Sequence, residues 1–224
     1  MLWLIRSGEE TMAFTIDPRF QELGFAVHVG MLDFNIGVRD SDEALVSAIA
    51  DGARLRLEEL MGEAASTDPV IADIRAAFKA CGKDPSRYRP SSESLTRRVI
   101  SGKGLFKVNN VVDSGNLVSL MTGIPVGCYD AEKIEGEIRL TIGEAGEAYE
   151  GIGRGSVNLE GLPILSDDAG PFGSPYSDSN RTAIAHGARK LIFVIYGLNV
   201  DIAHVEAAAE IADTLITGFC APAH

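Results

Sequence analysis

The stretch from Ser166 to Thr182, SDDAGPFGSPYSDSNRT, concentrates hydroxyls, carboxylates, an amide and a guanidinium, with no aliphatic side chain larger than Ala. Connections inside compact domains have a median of about 4–6 residues, and longer ones are commonly functional. Asp178 has the chemistry to orient a water or hold an ammonium group. Arg181 has the planar fork that grips a carboxylate or phosphate. These two are the catalytic candidates, and Ser177, Asp178, Ser179, Arg181 and Thr182 together would form a substrate-binding rim. The same composition also suits an Asx/Ser turn network that holds its own backbone, with Arg181 paired to Asp178.

Three residues outside this stretch join the substrate-binding candidates. Arg154, between Gly153 and Gly155, is a second cation for an anionic group. Asn116 lies on an expected helix and is placed at a pocket wall. Tyr129 reads as a core residue whose hydroxyl needs a partner. Other chemistries are poorly served. The cysteines Cys81, Cys128 and Cys220 are far apart, and the histidines lack an i,i+4 pair, so no metal site is expected. Gly151, Gly153 and Gly155 make G-x-G-x-G, which does not open a helix and is not the dinucleotide fingerprint. No P-loop or G-x-S-x-G elbow occurs, Ser174 has only the distant His186 as a base, and no cofactor is expected.

These residues need elements to hold them. FTIDPRF reads as a strand ending at Pro18, and GFAVHVGM alternates as a half-buried strand. Ser41 to Gly62 reads as a helix with Ser41 as N-cap and Leu45, Ala48, Ile49, Gly52 and Leu55 inward. Asp68 caps a helix to Ala80, with Pro69 in its first turn. Shorter helices are expected over 90–101 and 114–121, the latter capped by Asp113 or Ser114. After Gly127 the period becomes two: EGEIRLTI, AYEGIGRG and LPILS are strands, and KLIFVIYG is a strand buried on both faces. Asp201 to Phe219 is a final helix. Strands, helices, strands and a helix in that order give an α+β layout.

The chain has 224 residues, 46% apolar, enough for one sizeable core, and we expect a single domain over 1–224 with an N-terminal extension at 1–13. A net charge of −12 argues against phosphate gripping by the surface as a whole. A local basic segment at 83–107, with Arg87, Arg89, Arg97, Arg98, Lys103 and Lys107, is the RNA-facing candidate or else a solvated helix face. No DNA partner and no membrane are expected. Cysteine usage and the lack of a secretory leader pattern point to a cytoplasmic location.

One segment carries a longer pattern. VVDSGNLVSLMTGIPVGCYDAEKIEGEIRL contains Val111-Val112-Asp113, Asn116, Pro125, Tyr129-Asp130 and Ile134-Glu135-Gly136. It resembles the B3/B4 domain of the bacterial phenylalanyl-tRNA synthetase β chain. YRPSSESLTRRVISGKGL is similar to the matching segment of free-standing B3/B4 proteins. The likeness runs loosely from Phe14 to Phe219. It implies a three-layer α+β fold with a sheet sandwich flanked by helices, and a pocket that in the synthetase hydrolyses tyrosine from mischarged tRNA. Two positions depart from that pattern: Gly127 stands where editing domains have a His two residues after the Pro, and Phe193 is nearest to their buried Glu.

The resemblance implies a tRNA-associated protein that recognises an aminoacyl group or aminoacyl-tRNA 3′ end, with hydrolysis of the mischarged ester in trans. The departures at 127 and 193 leave a second reading open, a non-catalytic binder of a small amino-acid-like ligand. If the polar rim replaces the missing groups, Asn116, Arg154 and Arg181 should converge on one cavity.

Overall fold

The apolar run from Leu191 to Leu198 is buried throughout, because its strand has a neighbour on each edge and a layer on each face. The computed structural model describes residues 2–6 and 13–222. In chain order the elements are β1 (Leu2–Arg6), β2 (Phe14–Ile16), α1 (Arg19–Glu22), β3 (Val27–Val38), α2 (Glu43–Leu60), α3 (Pro69–Ala80), α4 (Ser91–Ile100), α5 (Asn110–Thr122), β4 (Val126–Asp130), β5 (Ile138–Ile142), β6 (Ala148–Gly151), β7 (Gly155–Asn158), β8 (Pro163–Asp167), β9 (Gly170–Gly173), β10 (Gly187–Leu198) and α6 (Ile202–Cys220). Short 3-10 turns sit at Ala65–Thr67, Ala131–Lys133 and Asn180–Thr182.

One four-stranded sheet has the order β1-β3-β10-β4, and a second has β2-β5-β8-β9. β10 runs antiparallel to both β3 and β4, and β1 runs parallel to β3. Helices α5 and α6 cover one face of the first sheet. The second sheet covers the other: the Tyr129 ring on β4 meets the Phe172 ring on β9 edge-on at 5.0 Å. The result is a mixed α+β fold of helix, sheet and sheet layers. No helix among the described residues is long and apolar enough to cross a membrane.

Side-chain alternation decides what each strand offers to which layer. Tyr129 is paired with Ile192 across the ladder, so Gly127, Tyr129, Val194 and Tyr196 share the sandwich face. Cys128 and Phe193 share the helix face, where a Cβ added at Gly115 of α5 would lie 2.9 Å from the Cys128 sulfur and 3.4 Å from the Phe193 ring.

Several boundaries differ from the sequence reading, each for a physical reason. Asp42, not Ser41, caps α2 by accepting from the Leu45 N–H at 2.9 Å. The Ser41 hydroxyl instead donates to Asp113 at 2.5 Å. α5 begins at Asn110 rather than near Ser114, because the Asn109 side chain accepts from Val111 and Val112. Asp113 is then free to accept from the Val108 N–H. Leu55, expected inward on α2, is 46% exposed, while Arg56 is buried against Asp68 and Glu59. The stretch 166–182 is not one long loop: β9 and a 3-10 turn divide it. Within the expected N-terminal extension, Leu2–Arg6 is a strand paired to β3, and residues 1 and 7–12 lie outside the described residues, as does His224.

Candidate functional site

Asp178 lies at the end of the sandwich, on the segment that follows β9. Its Oδ1 accepts from the Tyr129 hydroxyl at 2.6 Å and from the Ser174 N–H at 3.3 Å. The Tyr129 oxygen is also 2.5 Å from the Tyr196 hydroxyl. A phenol has one proton. With that of Tyr129 given to the carboxylate, Tyr196 must donate to Tyr129, so the chain of bonds runs Tyr196 to Tyr129 to Asp178. Tyr149 closes the group from the hairpin side, bonding the Ser177 carbonyl and the Ser174 Oγ.

Burial pushes the Asp178 carboxyl up to about 7, and the hydrogen bonds from Tyr129 and Ser174 only partly oppose it. Burial, with the neighbouring Asp178 charge, also pushes the phenols of Tyr129 and Tyr196 well above their ordinary range. The carboxyl, not the phenols, is therefore the group that changes charge near neutral pH. Asp178 keeps some exposure, and its second oxygen has no hydrogen bond among the described residues.

Two glycines make room for this arrangement. A Cβ at Gly127 would lie 2.1 Å from the Tyr129 oxygen, and one at Gly173 would lie 2.2 Å from it. The place that a side chain at 127 would take is filled by the phenol of Tyr129, which is fully buried. The β6–β7 hairpin then fixes the backbone of the cluster: the Ile152 N–H donates to the Asp178 carbonyl at 2.9 Å, and Gly151 bridges Ser179. The G-x-G-x-G glycines serve this hairpin, Gly153 and Gly155 having φ of 67° and 72° in its turn.

Beside the cluster, across Tyr176, is an open cleft of about 340 Å³ bordered by Arg87, Tyr88, Arg154, Ser156, Asn158 and Tyr176. Arg154 donates to the Tyr176 hydroxyl at 3.2 Å and lies 4.7 Å over its ring.

The expected convergence of Asn116, Arg154 and Arg181 is not what the fold builds. Arg154 borders the cleft. Arg181 turns away and forms a fork on the buried Asp167, at 2.8 and 3.0 Å, with further bonds to the carbonyls of Lys133 and Gly170. Its partner is thus Asp167 rather than Asp178 or a ligand, and a guanidinium so committed is a clamp on β8, β9 and the 131–133 turn. Asn116 belongs to α5, in the helical layer, whereas the Asp178 cluster occupies the sandwich side of β4. Ser179 caps the 180–182 turn by accepting from the Arg181 N–H, and Thr182 is buried against the Phe172 carbonyl. Ser177 contributes its carbonyl to Tyr149 and Ser174. Of the rim residues, Asp178 alone joins Tyr129.

Phe193 faces the helices, so it does not line the cluster and cannot stand in for a group there. Within the buried run 191–198, Tyr196 is the polar residue on the sandwich face. Tyr149, Ser174, Tyr196 and Gly173 were not among the sequence candidates. The available signal was Tyr196 itself, a phenol inside a strand buried on both faces, which requires a hydrogen-bond partner. The basic segment 83–107 is dispersed: Arg89 and Arg97 flank the buried Glu93 at 3.8 Å, Arg98 lies over Phe106, and Arg87 goes to the cleft. Among the described residues no group of His, Cys, Asp and Glu is arranged to hold a metal.

A family model described as B3/4 domain matches residues 73–221, which include α4, α5, β4 and the whole Asp178 cluster. The chain belongs to the B3/4 domain family. The phenylalanine–tRNA ligase β subunit of Mycoplasma pneumoniae is 26% identical over 111 residues. That match covers 49% of this B3/4 chain and 14% of the subunit, so the chain spans a small part of that relative. Among solved structures, an N-terminal fragment of the phenylalanyl-tRNA synthetase β-subunit from Pyrococcus horikoshii matches with a TM-score of 0.49 and 13% identity, over 96% of this chain and 50% of that one.

Proposed function

We propose that this B3/4 protein recognises the aminoacyl end of a tRNA and hydrolyses a mischarged ester in trans, with Asp178 as the base. The observation that carries the reading is a partly exposed carboxyl with one oxygen held by Tyr129 and a proton affinity tuned to about 7. A general base works best when its pKa lies near the working pH. The free Asp178 oxygen takes a proton from a water, the hydroxide adds to the ester carbonyl, and the tetrahedral intermediate expels the ribose oxygen, which recovers the proton. Tyr129 and Tyr196 hold the carboxylate and act as positioning residues. Membership of the B3/4 family and the likeness to a phenylalanine–tRNA ligase β subunit support tRNA as the carrier of that ester. Gly127 and Tyr129 make the route different from one that uses a histidine at position 127.

The test is a panel of mischarged tRNAs incubated with the full chain. Loss of the aminoacyl group from at least one of them is expected, with Asp178→Asn slower by roughly 100-fold or more, within the range of general-base contributions. If every ester stays intact while a free amino acid raises the melting temperature, the protein is a ligand binder and the hydrolytic reading is wrong.

A further inference from the structure

Four side chains follow one another in contact beside the sandwich. The Lys83 Nζ lies 3.9 Å from the Tyr88 ring, Tyr88 lies 5.2 Å from Tyr176, and Arg154 lies 4.7 Å from Tyr176 on the cleft side. Lys83 is already committed, donating to the carbonyls of Asn158 and Glu160 at 3.0 and 2.6 Å and so tying the 83–90 segment to the hairpin. Arg87 and Arg154 are in a different state. Among the described side chains they are the two arginines with neither an ion pair nor a hydrogen bond to a carbonyl, and both border the 340 Å³ cleft.

That is unusual in this chain. Acidic residues number 32 against 20 Lys and Arg, so a cation has many acids to choose from. Two guanidiniums without an ion pair at one concavity, Arg87 having only a longer-range attraction to the exposed Asp84, leave positive charge where an anion can use it, since a guanidinium matches phosphate oxygens with a fork of donors. The cleft volume falls at the low end of the roughly 300–1,000 Å³ typical of small-molecule sites. Its wall offers more than charge. The outer face of a guanidinium stacked on Tyr176 is a platform for a flat ring, because bases stack on arginine planes as well as on aromatics. The Asn158 Oδ1 is taken by the Glu160 N–H, which leaves its amide donors for an acceptor on a ligand edge.

We propose that this cleft is a nucleotide site, with the phosphate between Arg87 and Arg154, the base on the Arg154–Tyr176 stack, and Asn158 at the polar edge. The same chemistry is supplied by a free mononucleotide or by the last nucleotide of a single strand. The inference goes beyond the hydrolytic reading and does not require that any ester be cleaved.

The experiment titrates the full chain with AMP, adenosine, inorganic phosphate, a polyglutamate peptide and a short single-stranded RNA. AMP should bind at least tenfold more tightly than adenosine or phosphate alone. Arg87→Ala and Arg154→Ala should each weaken AMP at least tenfold without changing the melting temperature, both side chains being exposed. Tyr176→Ala should weaken it roughly 5- to 140-fold, the loss of one stacking platform, and Tyr176→Phe should keep the stack and the affinity. RNA bound more tightly than AMP, with a salt slope reduced by about 0.7 for each arginine removed, assigns the site to a strand; AMP bound as well as RNA assigns it to the mononucleotide. Phosphate or polyglutamate matching AMP, or arginine variants that bind AMP normally, would overturn the proposal. Loss of AMP binding in the arginine variants supports it even where no mischarged tRNA is hydrolysed.

Discussion

The Tyr129 hydroxyl reaches Asp178 from the space that a side chain at residue 127 would occupy: the bond is 2.6 Å long, and a Cβ at 127 would stand 2.1 Å from the same oxygen. Glycine at 127 and phenol at 129 are therefore one structural choice. A B3/4 chain with this pair places a carboxyl–phenol unit where a bulkier residue 127 would exclude it.

Gly127→Ala should thus destabilise the protein by about 1–3 kcal/mol, the usual cost of overpacking a dense core. The three atoms nearest to that Cβ all belong to Tyr129, so Gly127→Ala combined with Tyr129→Ala should cost less than the sum of the two single changes. Denaturant unfolding of the three variants reads the coupling. Additive losses would mean that the two positions do not compete for one volume.

The strand that carries this site was easy to see in the sequence, and its orientation was not. LIFVIYG is apolar throughout because both faces of β10 are covered, and an all-apolar strand gives no sign of which face any residue takes. Phe193 was therefore matched to the pocket although it faces α5, while Tyr196, three residues on, reaches the cluster. A shift of one residue in register reverses every side chain. Asp178 was legible as a polar residue in an odd place. Its partners were not, since Tyr129, Tyr149 and Tyr196 come from three strands that only the sandwich brings together. Arg181 shows the converse: its charge was legible, but Asp167, the carboxylate that neutralises it, sits across the β8–β9 turn.

Asp178 also sets a pH dependence of stability. Its folded pKa, about 7, is above the ordinary value of 3.8, so the folded state binds the proton more tightly than the unfolded chain. The resulting stabilisation is fully present below about pH 4 and is lost as pH rises through about 7. Asp178→Asn keeps an acceptor for Tyr129 and removes the charge. It should stabilise the protein at pH 8 by about 1–3 kcal/mol, the lower part of what the shift implies for a group with some exposure, by roughly a third of that at pH 5, and have little effect below about pH 4. Thermal melts of both proteins across pH 5–8 check this; parallel curves would contradict it.

Arg181 is expected to matter for stability rather than for ligand affinity. Burial alone would raise the Asp167 carboxyl, but the Arg181 hydrogen bonds and charge, together with the bonds from the Glu135 and Ala169 N–H groups, outweigh it and hold the group below its usual range. Arg181→Ala leaves a buried carboxylate without its fork and should cost about 3–5 kcal/mol. Arg181→Ala/Asp167→Asn should recover part of that loss. Affinity of the folded variant for AMP should stay within about twofold, because Arg181 does not border the cleft.

The thiols should be inert in the folded protein. Burial pushes Cys81 up to about 12 and Cys220 up to about 11, and it holds Cys128 well above the ordinary range. Only the thiolate reacts readily. A disulfide-exchange reagent at pH 8 should label the native chain slowly and all 3 cysteines quickly in denaturant. Rapid labelling of the native chain would show that one of these sites is open to solvent.

The most direct test of the account is a carbon-13 NMR titration of the aspartate carboxyls, with Asp178→Asn used to assign the Asp178 signal. This carboxyl is expected to titrate near pH 7, and Tyr129→Phe to raise the midpoint further by removing the hydrogen bond that favours the anion. A midpoint near 4, unchanged in Tyr129→Phe, would mean that Asp178 is an ordinary solvated acid and that the site assigned to it does not exist.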